Sequence, residues 1–271
     1  MRREKLNDLT FLSFHIFRND PGLFHAVTIR NGGNSPPPFH SLNLGINTED
    51  LPENIKSNHN ILCRCLGIDN KYLLSSKQVH KNRILIIDKN TCLPQPDISG
   101  RCFDGFDAIM TGLPEYTLMI RIADCVPIIL FDPVQSVVAV AHAGWQGTLL
   151  KIVEKCIQRM QERFGSNPAA LKCGIGPSIG KCCFNVQPNI TDRFKNSHTA
   201  SHRFITDING RQHMDLRESN RLQLMASGVP ASRIELSGYC TSCRSDLFFS
   251  HRREKGRTGR FAILAGLRRS G

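Results

Sequence analysis

The sequence has no apolar run able to cross a membrane. Its longest unbroken stretch, Cys125 to Phe131, falls far short of the ~20 residues that a spanning helix needs. It is poor in the flat side chains on which nucleic-acid bases stack, with one Trp and three Tyr in 271 residues. No internal repeat is present, no low-complexity tract beyond Ser35-Pro36-Pro37-Pro38, and no Pro/Gly/Ser linker. These absences argue against a membrane protein, a repeat array and a single-strand-binding platform, and they predict one domain over residues 1–271. Acidic residues are also scarce: 23 Asp+Glu against 35 Lys+Arg leave a formal charge of +12.

That balance suggests an anionic partner, either nucleic acid or a phosphorylated small molecule. Much of the charge falls late in the chain, in Arg252, Arg253, Lys255, Arg257, Arg260, Arg268 and Arg269. From charge alone a solvated basic face is the simpler reading, and the lack of a basic motif interleaved with aromatics makes nucleic acid an unlikely partner.

What is present is enough for a substantial core, with 40% hydrophobic residues, 15 of them Phe. The start, Met1-Arg2-Arg3-Glu4-Lys5, begins like an export signal, but Asn7, Asp8 and His15 interrupt it and no small-residue cleavage site follows. A cytoplasmic location is expected, where the 11 cysteines would be reduced and available for packing, metal binding or catalysis.

A strand-like run from Phe24 to Ile29 leads into a glycine-rich turn. Asp50 with Glu53 forms a capping pattern, and Pro52 sits in the first turn of a helix running to Gly67. Strands are predicted over Tyr72–Val79, Arg83–Ile87, Phe106–Met110, Tyr116–Ile122, Val126–Phe131, Ser136–Ala141, Leu171–Ile175 and Phe261–Leu267. Helical spacing marks Thr148–Phe164 and Arg217–Met225. Buried strands mixed with helices predict an α/β (mixed α+β) fold, a layered α/β/α domain with a cleft.

Three segments place a possible metal ligand where a strand meets a loop: Lys77-Gln78-Val79-His80, Ala123-Asp124-Cys125-Val126-Pro127 and Ala141-His142-Ala143-Gly144-Trp145. Two imidazoles and a thiolate would make a three-ligand zinc site with its fourth position open, the arrangement of catalytic zinc. Spacing alone is weak support, since 10 His and 11 Cys supply many such triples. His198 and His202 have helical i, i+4 spacing in a polar neighbourhood, which reads better as solvated surface. Cys240-Thr241-Ser242-Cys243 has metal-hairpin spacing, but a zinc ribbon needs a second such pair and adjacent Cys182-Cys183 does not supply one. A structural role or a thiol pair is expected for these four. Gly174-Ile175-Gly176-Pro177 lacks the length and the Lys-Ser/Thr of a phosphate loop and reads equally as a tight turn at a strand end or as glycine backbone lining a cleft.

Taken in order, several short segments resemble the YfiH/YlmD-type family, whose animal relative carries the so-called laccase domain. They are Ser41-Leu42-Asn43-Leu44-Gly45, Gln78-Val79-His80, Phe106-Asp107-Ala108-Ile109-Met110-Thr111, Ala123–Pro127, His142-Ala143-Gly144-Trp145, Gly174 to Val186, Ser250-His251-Arg252-Arg253 and Thr258-Gly259-Arg260. The resemblance implies that His80, Cys125 and His142 are zinc ligands in a cleft. It implies purine nucleoside phosphorolysis, with adenosine or inosine and phosphate as substrates; methylthioadenosine cleavage and adenosine deamination are also ascribed to the family. An older copper polyphenol oxidase label fails here, because a multicopper centre uses His-x-His pairs and this chain has none. A single copper at the three-ligand site stays open.

Within that reading Asp124 is a candidate proton carrier or a hydrogen-bonding partner behind the ligands. Arg252 and Arg260 are candidate phosphate contacts. Asn43 is a candidate contact to sugar or base, or a turn cap. The family usually has Arg at the position of Gln146 and Gly at that of Lys81; the first departure weakens the phosphate expectation and the second partly offsets it. A competing enzyme reading takes Cys125 as the nucleophile of a Cys-His hydrolase or deamidase with His142 as its base.

Overall fold

A computed structural model describes residues 1–268. Arg269 of the basic run lies outside the described residues. In chain order, β1 (Arg2–Leu6), β2 (Leu9–Ser13) and β3 (Leu23–Thr28) precede helix α1 (Pro52–Leu66). Next come β4 (Leu73–Lys77), β5 (Ile84–Ile87), β6 (Arg101–Asp104), β7 (Ala108–Thr111), β8 (Thr117–Ile122), β9 (Val126–Asp132) and β10 (Val137–Ala143). Helices α2 (Trp145–Leu149) and α3 (Ile152–Phe164), strand β11 (Lys172–Ile175) and helix α4 (Pro188–Ser197) follow. The chain closes with β12 (Ile205–Ile208), β13 (Arg211–Met214), α5 (Leu216–Ala226), β14 (Ile234–Leu236) and β15 (Phe261–Leu267).

Two mixed sheets are stacked. One has the order β1-β2-β3-β15-β8-β4-β6, the other β14-β11-β9-β10-β7-β5, and β12-β13 is a separate hairpin. The alternation along β10 shows why they stack. Val138 and Val140 join Ile129 and Phe131 of β9 against Leu118, Ile120, Phe261 and Ile263 of the facing sheet. The alternate residues Ala139 and Ala141 face the other way, where their small side chains let α3 close in with Ile152, Val153, Cys156 and Met160. Helix α1 covers the outer face of the first sheet through Leu62 and Cys63. The layers therefore run helix, sheet, sheet, helix. The mixed α/β class matches the expectation, and the middle layer is double: strands buried on both faces can be covered by a second sheet as well as by a helix.

Two local expectations need correction. The helix predicted over Thr148–Phe164 is broken: Lys151, at φ 59°, separates α2 from α3. Asp50 does not cap α1, whose N-cap is Leu51 with no side-chain cap. Asp50 accepts from Leu51 N–H and Asn54 with one oxygen and from Ser35 and Asn43 with the other.

The face of α1 turned to the sheet carries a buried histidine, His59. Its Nε2 donates to the Leu44 carbonyl at 3.1 Å, and its Nδ1 is buried without a partner. The Arg121 guanidinium donates to the same carbonyl at 2.8 Å. Burial, reinforced by Arg121, pushes the His59 pKa from 6.5 down to about 3. The folded protein thus refuses a proton that the unfolded chain accepts, so this stability is present above pH 6.5 and is lost as pH falls from there toward about 3. Each unit of depression is worth about 1.4 kcal/mol. The thermal midpoint is expected to drop as pH is lowered from about 7 to about 4. His59→Gln, which keeps a donor for Leu44 without the titration, should flatten that slope; an equally steep profile in the variant would refute the assignment.

Candidate active site

Several strand ends converge at one rim of the stacked sheets. β4 and β8 run parallel, and β15 starts opposite the end of β8, with Phe261 paired to Ile122. Residues 123–125 carry the chain from β8 in one sheet to β9 in the other, and the end of β10 lies beside the start of β9, with His142 opposite Pro127. This register brings together His80 beyond the end of β4, Cys125 in the crossover and His142 in β10. Their ligand atoms all lie within 4.8 Å of one another. The two imidazoles meet edge to face with centroids 4.8 Å apart.

Backbone strain accompanies the convergence. His80 and Asp124 hold φ 59° and φ 88°, a left-handed region that side chains favour little and that surrounding contacts must enforce. Gly144 completes the fit. A methyl there would lie 3.0 Å from Cys125 Sγ and 3.2 Å from His80 Cδ2, in the space the ligand atoms occupy.

Asp107, buried at the start of β7, does the orienting. Its Oδ1 lies 2.9 Å from His142 Nδ1 and accepts from His80 N–H at 2.9 Å, while Oδ2 accepts from Lys81 N–H at 2.8 Å. Its carbonyl also accepts from His142 N–H at 2.7 Å. A carboxylate on Nδ1 fixes the tautomer and leaves Nε2 to face Cys125 and an ion. Burial tends to raise the Asp107 pKa, but the His142 imidazole and the backbone donors outweigh it and the net direction is down. Burial also pushes the Cys125 thiol up, and the facing His142 and His80 rings overcome this and draw it down to about 6. His142 moves the opposite way: burial opposes its charge, and Cys125 and Asp107 more than offset that. Within this pair the proton is drawn from Cys125 toward His142, and a metal ion set between them would take that proton's place and bind the thiolate. One thiolate and two oriented imidazoles, with exposed His80 on the solvent side, are a donor set that fits a divalent transition metal with one position open.

The centre lies in a cleft of about 460 Å³. Trp145 and Phe184 supply aromatic surface, and Arg121, Arg252, Arg260 and Lys77 bring positive charge to a lining whose acidic member is Asp124. The three arginines have no carboxylate partner among the described residues. Arg121 is the most unusual, because its Nη2 is buried without any hydrogen-bond partner. Arg252 donates to the Asn185 carbonyl at 3.1 Å, and Arg260 to the Thr258 and Gly259 carbonyls.

The other expected positions fall differently. Asp124 lines the cleft, but its two oxygens accept from the Thr241 hydroxyl at 2.6 Å and the Arg252 N–H at 2.7 Å. These bonds tie the 241 and 252 segments to one wall of the cleft. Asn43 does not reach the cleft as a contact to sugar or base. It is fully buried, its amide N–H groups donate to Thr48 and Asp50, and its oxygen accepts from Gly45 and Arg260 N–H. It holds Arg260 in place. Gln146 and Lys81 are both exposed and neither lines the cleft, so the two departures bear less on the site than the sequence suggested. His198 packs on Phe194 and Phe204 and meets Gln223, apart from any metal cluster. Asp107 and Arg121 were missed as site residues. Asp107 stands in a quoted family segment, and a lone carboxylate or arginine beside an apolar strand was the only signal for either.

Fold and site together define a mixed α/β protein of two face-packed sheets, with a His–Cys–His centre in a cleft at the strand ends. The family described as multi-copper polyphenol oxidoreductase laccase matches residues 24–268, and the chain belongs to it. It is 32% identical over 252 residues to purine nucleoside phosphorylase YlmD of Bacillus subtilis, covering 93% of this chain and 91% of that protein. It is 36% identical over 197 residues to adenosine deaminase RL5 of an unknown prokaryotic organism, covering 72% and 75%. Among solved structures, hypothetical protein YfiH of Bacillus licheniformis superposes with a TM-score of 0.89 at 34% identity, covering 97% of this chain and 98% of that one. No helix among the described residues is long and apolar enough to cross a membrane.

Proposed function

We infer that this protein is a zinc-dependent enzyme of purine nucleosides, cleaving adenosine or inosine with phosphate to the free base and ribose 1-phosphate. The observation that carries the reading is a His80–Cys125–His142 centre sharing one cleft with arginines that no carboxylate neutralises. Relatives named as a purine nucleoside phosphorylase and an adenosine deaminase support the substrate class. Methylthioadenosine is a further candidate substrate. Among the described residues this is the only cluster of potential ligands that contains histidine. Zinc held there supplies Lewis acidity toward a bound oxygen or nitrogen.

The chain's own groups account for the rest. Asp107 keeps His142 in one tautomer. Trp145 and Phe184 offer faces to a purine, and Arg121, Arg252 and Arg260 gain an anionic partner when phosphate enters. Burial disfavours the charge on Arg121 and Arg260, and that cost is relieved by an anion. Deamination is the second reading. It needs a proton-carrying carboxylate facing the cleft, and the one that lines it, Asp124, is committed to Thr241 and Arg252, which favours phosphorolysis.

The test is incubation of the zinc-loaded protein with adenosine, with and without phosphate. Adenine formed only with phosphate supports the reading, inosine in both cases makes the protein primarily a deaminase, and no product in either refutes both. Arg121→Gln and Arg260→Ala should each raise KM for phosphate roughly 10–100-fold, the worth of a hydrogen bond to a charged group, while changing KM for adenosine less. An unchanged phosphate KM in both variants would remove the anion site from these arginines.

A further inference from the structure

Cys182, Cys183, Cys240 and Cys243 come from two segments nearly 60 residues apart, yet their four sulfurs all lie within 4.8 Å of one another. We propose that they form a second, structural metal site, a tetrahedral tetrathiolate zinc centre that staples the 180–184 turn to the 240–244 turn beside the cleft. The inference is independent of the activity inferred above.

The spacing matches zinc. Four thiolates around zinc at about 2.3 Å form a tetrahedron whose sulfurs stand about 3.8 Å apart. Cys182 and Cys183 lie 3.6 and 3.5 Å from Cys243 Sγ. These separations are far beyond the ~2.05 Å of a disulfide, and all four thiols are free. A disulfide needs two sulfurs to meet and gives no reason for four to converge. A four-iron cluster is wider than this gap, so its thiolates stand farther apart.

The surroundings match as well. The turn closed by Cys183 and Phe184 N–H donating to the Gly180 carbonyl directs both neighbouring cysteines toward Cys243. This is how an adjacent pair supplies two ligands without Cys-x-x-Cys spacing. Gly180 N–H donates to Cys240 Sγ at 3.2 Å, an N–H···S contact of the kind that supports metal thiolates. Gly180 is needed for this approach: a methyl there would lie 3.0 Å from Arg217 Nη2, 3.2 Å from Cys240 Cβ and 3.3 Å from Cys182 Sγ. Arg217 is held there by the Ser237 and Tyr239 carbonyls. All four positions are filled by protein, the mark of a structural site. Its place explains what it would hold: Ser178 bridges Cys240, Ile179 N–H donates to the Asp124 carbonyl, and Thr241 and Arg252 both bind the Asp124 carboxylate next to Cys125.

The full-length protein, purified without chelator, should show Cys182 and Cys243 protected from a thiol-alkylating reagent although both are exposed, and reactive once a chelator removes zinc, as read by peptide mass mapping. In metal analysis Cys182→Ser/Cys243→Ser should lose one zinc equivalent per chain. Cobalt-loaded Cys125→Ala protein should still show strong thiolate charge-transfer bands, and adding Cys182→Ser/Cys243→Ser to that variant should abolish them, which separates this site from the His–Cys–His centre. Immediate alkylation of both cysteines in the untreated protein, an intramolecular disulfide among the four, or iron in place of zinc would each overturn the proposal, even if the serine variant fails to fold.

Discussion

Cys125→Ala is expected to lower nucleoside turnover by about 10³-fold or more and to release the metal from the cleft. Lewis acidity contributes several kcal/mol to a transition state, and each 1.36 kcal/mol is about tenfold in rate. The substitution removes the one anionic ligand of the centre and leaves His80 and His142 as a neutral pair that holds a divalent ion poorly. The fold should survive, because the side chain is small and Gly144 and both imidazoles already crowd its space. The same substitution also decides between the metal reading and the nucleophile reading. Cys125, His142 and Asp107 have the order of a nucleophile, base and orienting carboxylate, so loss of activity alone is not diagnostic. What separates them is the wild-type protein with a chelator: a metal-dependent enzyme loses activity and regains it with zinc, and a Cys-His hydrolase is indifferent. Cys125 should resist alkylation while zinc is bound and react readily afterwards, since its thiolate is then exposed to reagent with a pKa drawn down to about 6. Full activity with metal absent would end the zinc reading.

Asp107→Asn is expected to cost about 10–100-fold in metal affinity or in kcat/KM, although Asp107 lies behind His142 and outside the cleft lining. The amide keeps the size of the side chain, but it cannot accept at both positions. One of its ends must face either His142 Nδ1 at 2.9 Å or the N–H groups of His80 and Lys81 with a donor instead of an acceptor. If it turns its NH2 to His142, the ring takes the other tautomer and presents a proton where the ion needs a lone pair. If it turns the other way, the strained backbone at His80 loses the contacts that enforce φ 59°. Either result should appear as weaker zinc binding and a shifted pH profile, not merely as a lower thermal midpoint. A variant with unchanged zinc affinity and unchanged kcat/KM, whatever its stability, would refute the orienting role.

Much of the scaffold was legible. Short apolar segments placed β3, β4, β5, β7, β8, β9, β10, β11 and β15 within a few residues, most clearly β9, β10 and β15, which are buried at every position. The elements that escaped notice are β1, β2, β6, β12, β13, β14 and α4. They are short and mostly half exposed or polar, and their structure comes from partners: β1 exists because β2 pairs with it through five residues, and β6 because β4 does. The broken helix at Lys151 had no local warning either, since the apolar spacing continues through it. The three candidate ligands were noticed because each stands where an apolar strand runs out, but spacing could not choose them over other His and Cys triples.

The sequence by itself determined the residue chemistry available, the mixed α/β class and the family segments that mark the centre. These follow from patterns a few residues long, such as the period of two along β10 or a histidine set before a glycine. Only the tertiary structure decided which groups meet. Asp107 reaches His142 because β7 and β10 are paired in one register, with Ala108 opposite Ala141. Arg121 keeps the Leu44 carbonyl as a partner but is buried with Nη2 unpaired, and Asn43 is held inside its own loop by Thr48 and Asp50. Cys182 and Cys183 find Cys240 and Cys243 because the bridge between Ser178 and Cys240 lays two distant turns side by side. Sequence patterns report which face of an element is buried. Which distant elements share that burial is set by sheet register and packing, and the functional contacts follow from those.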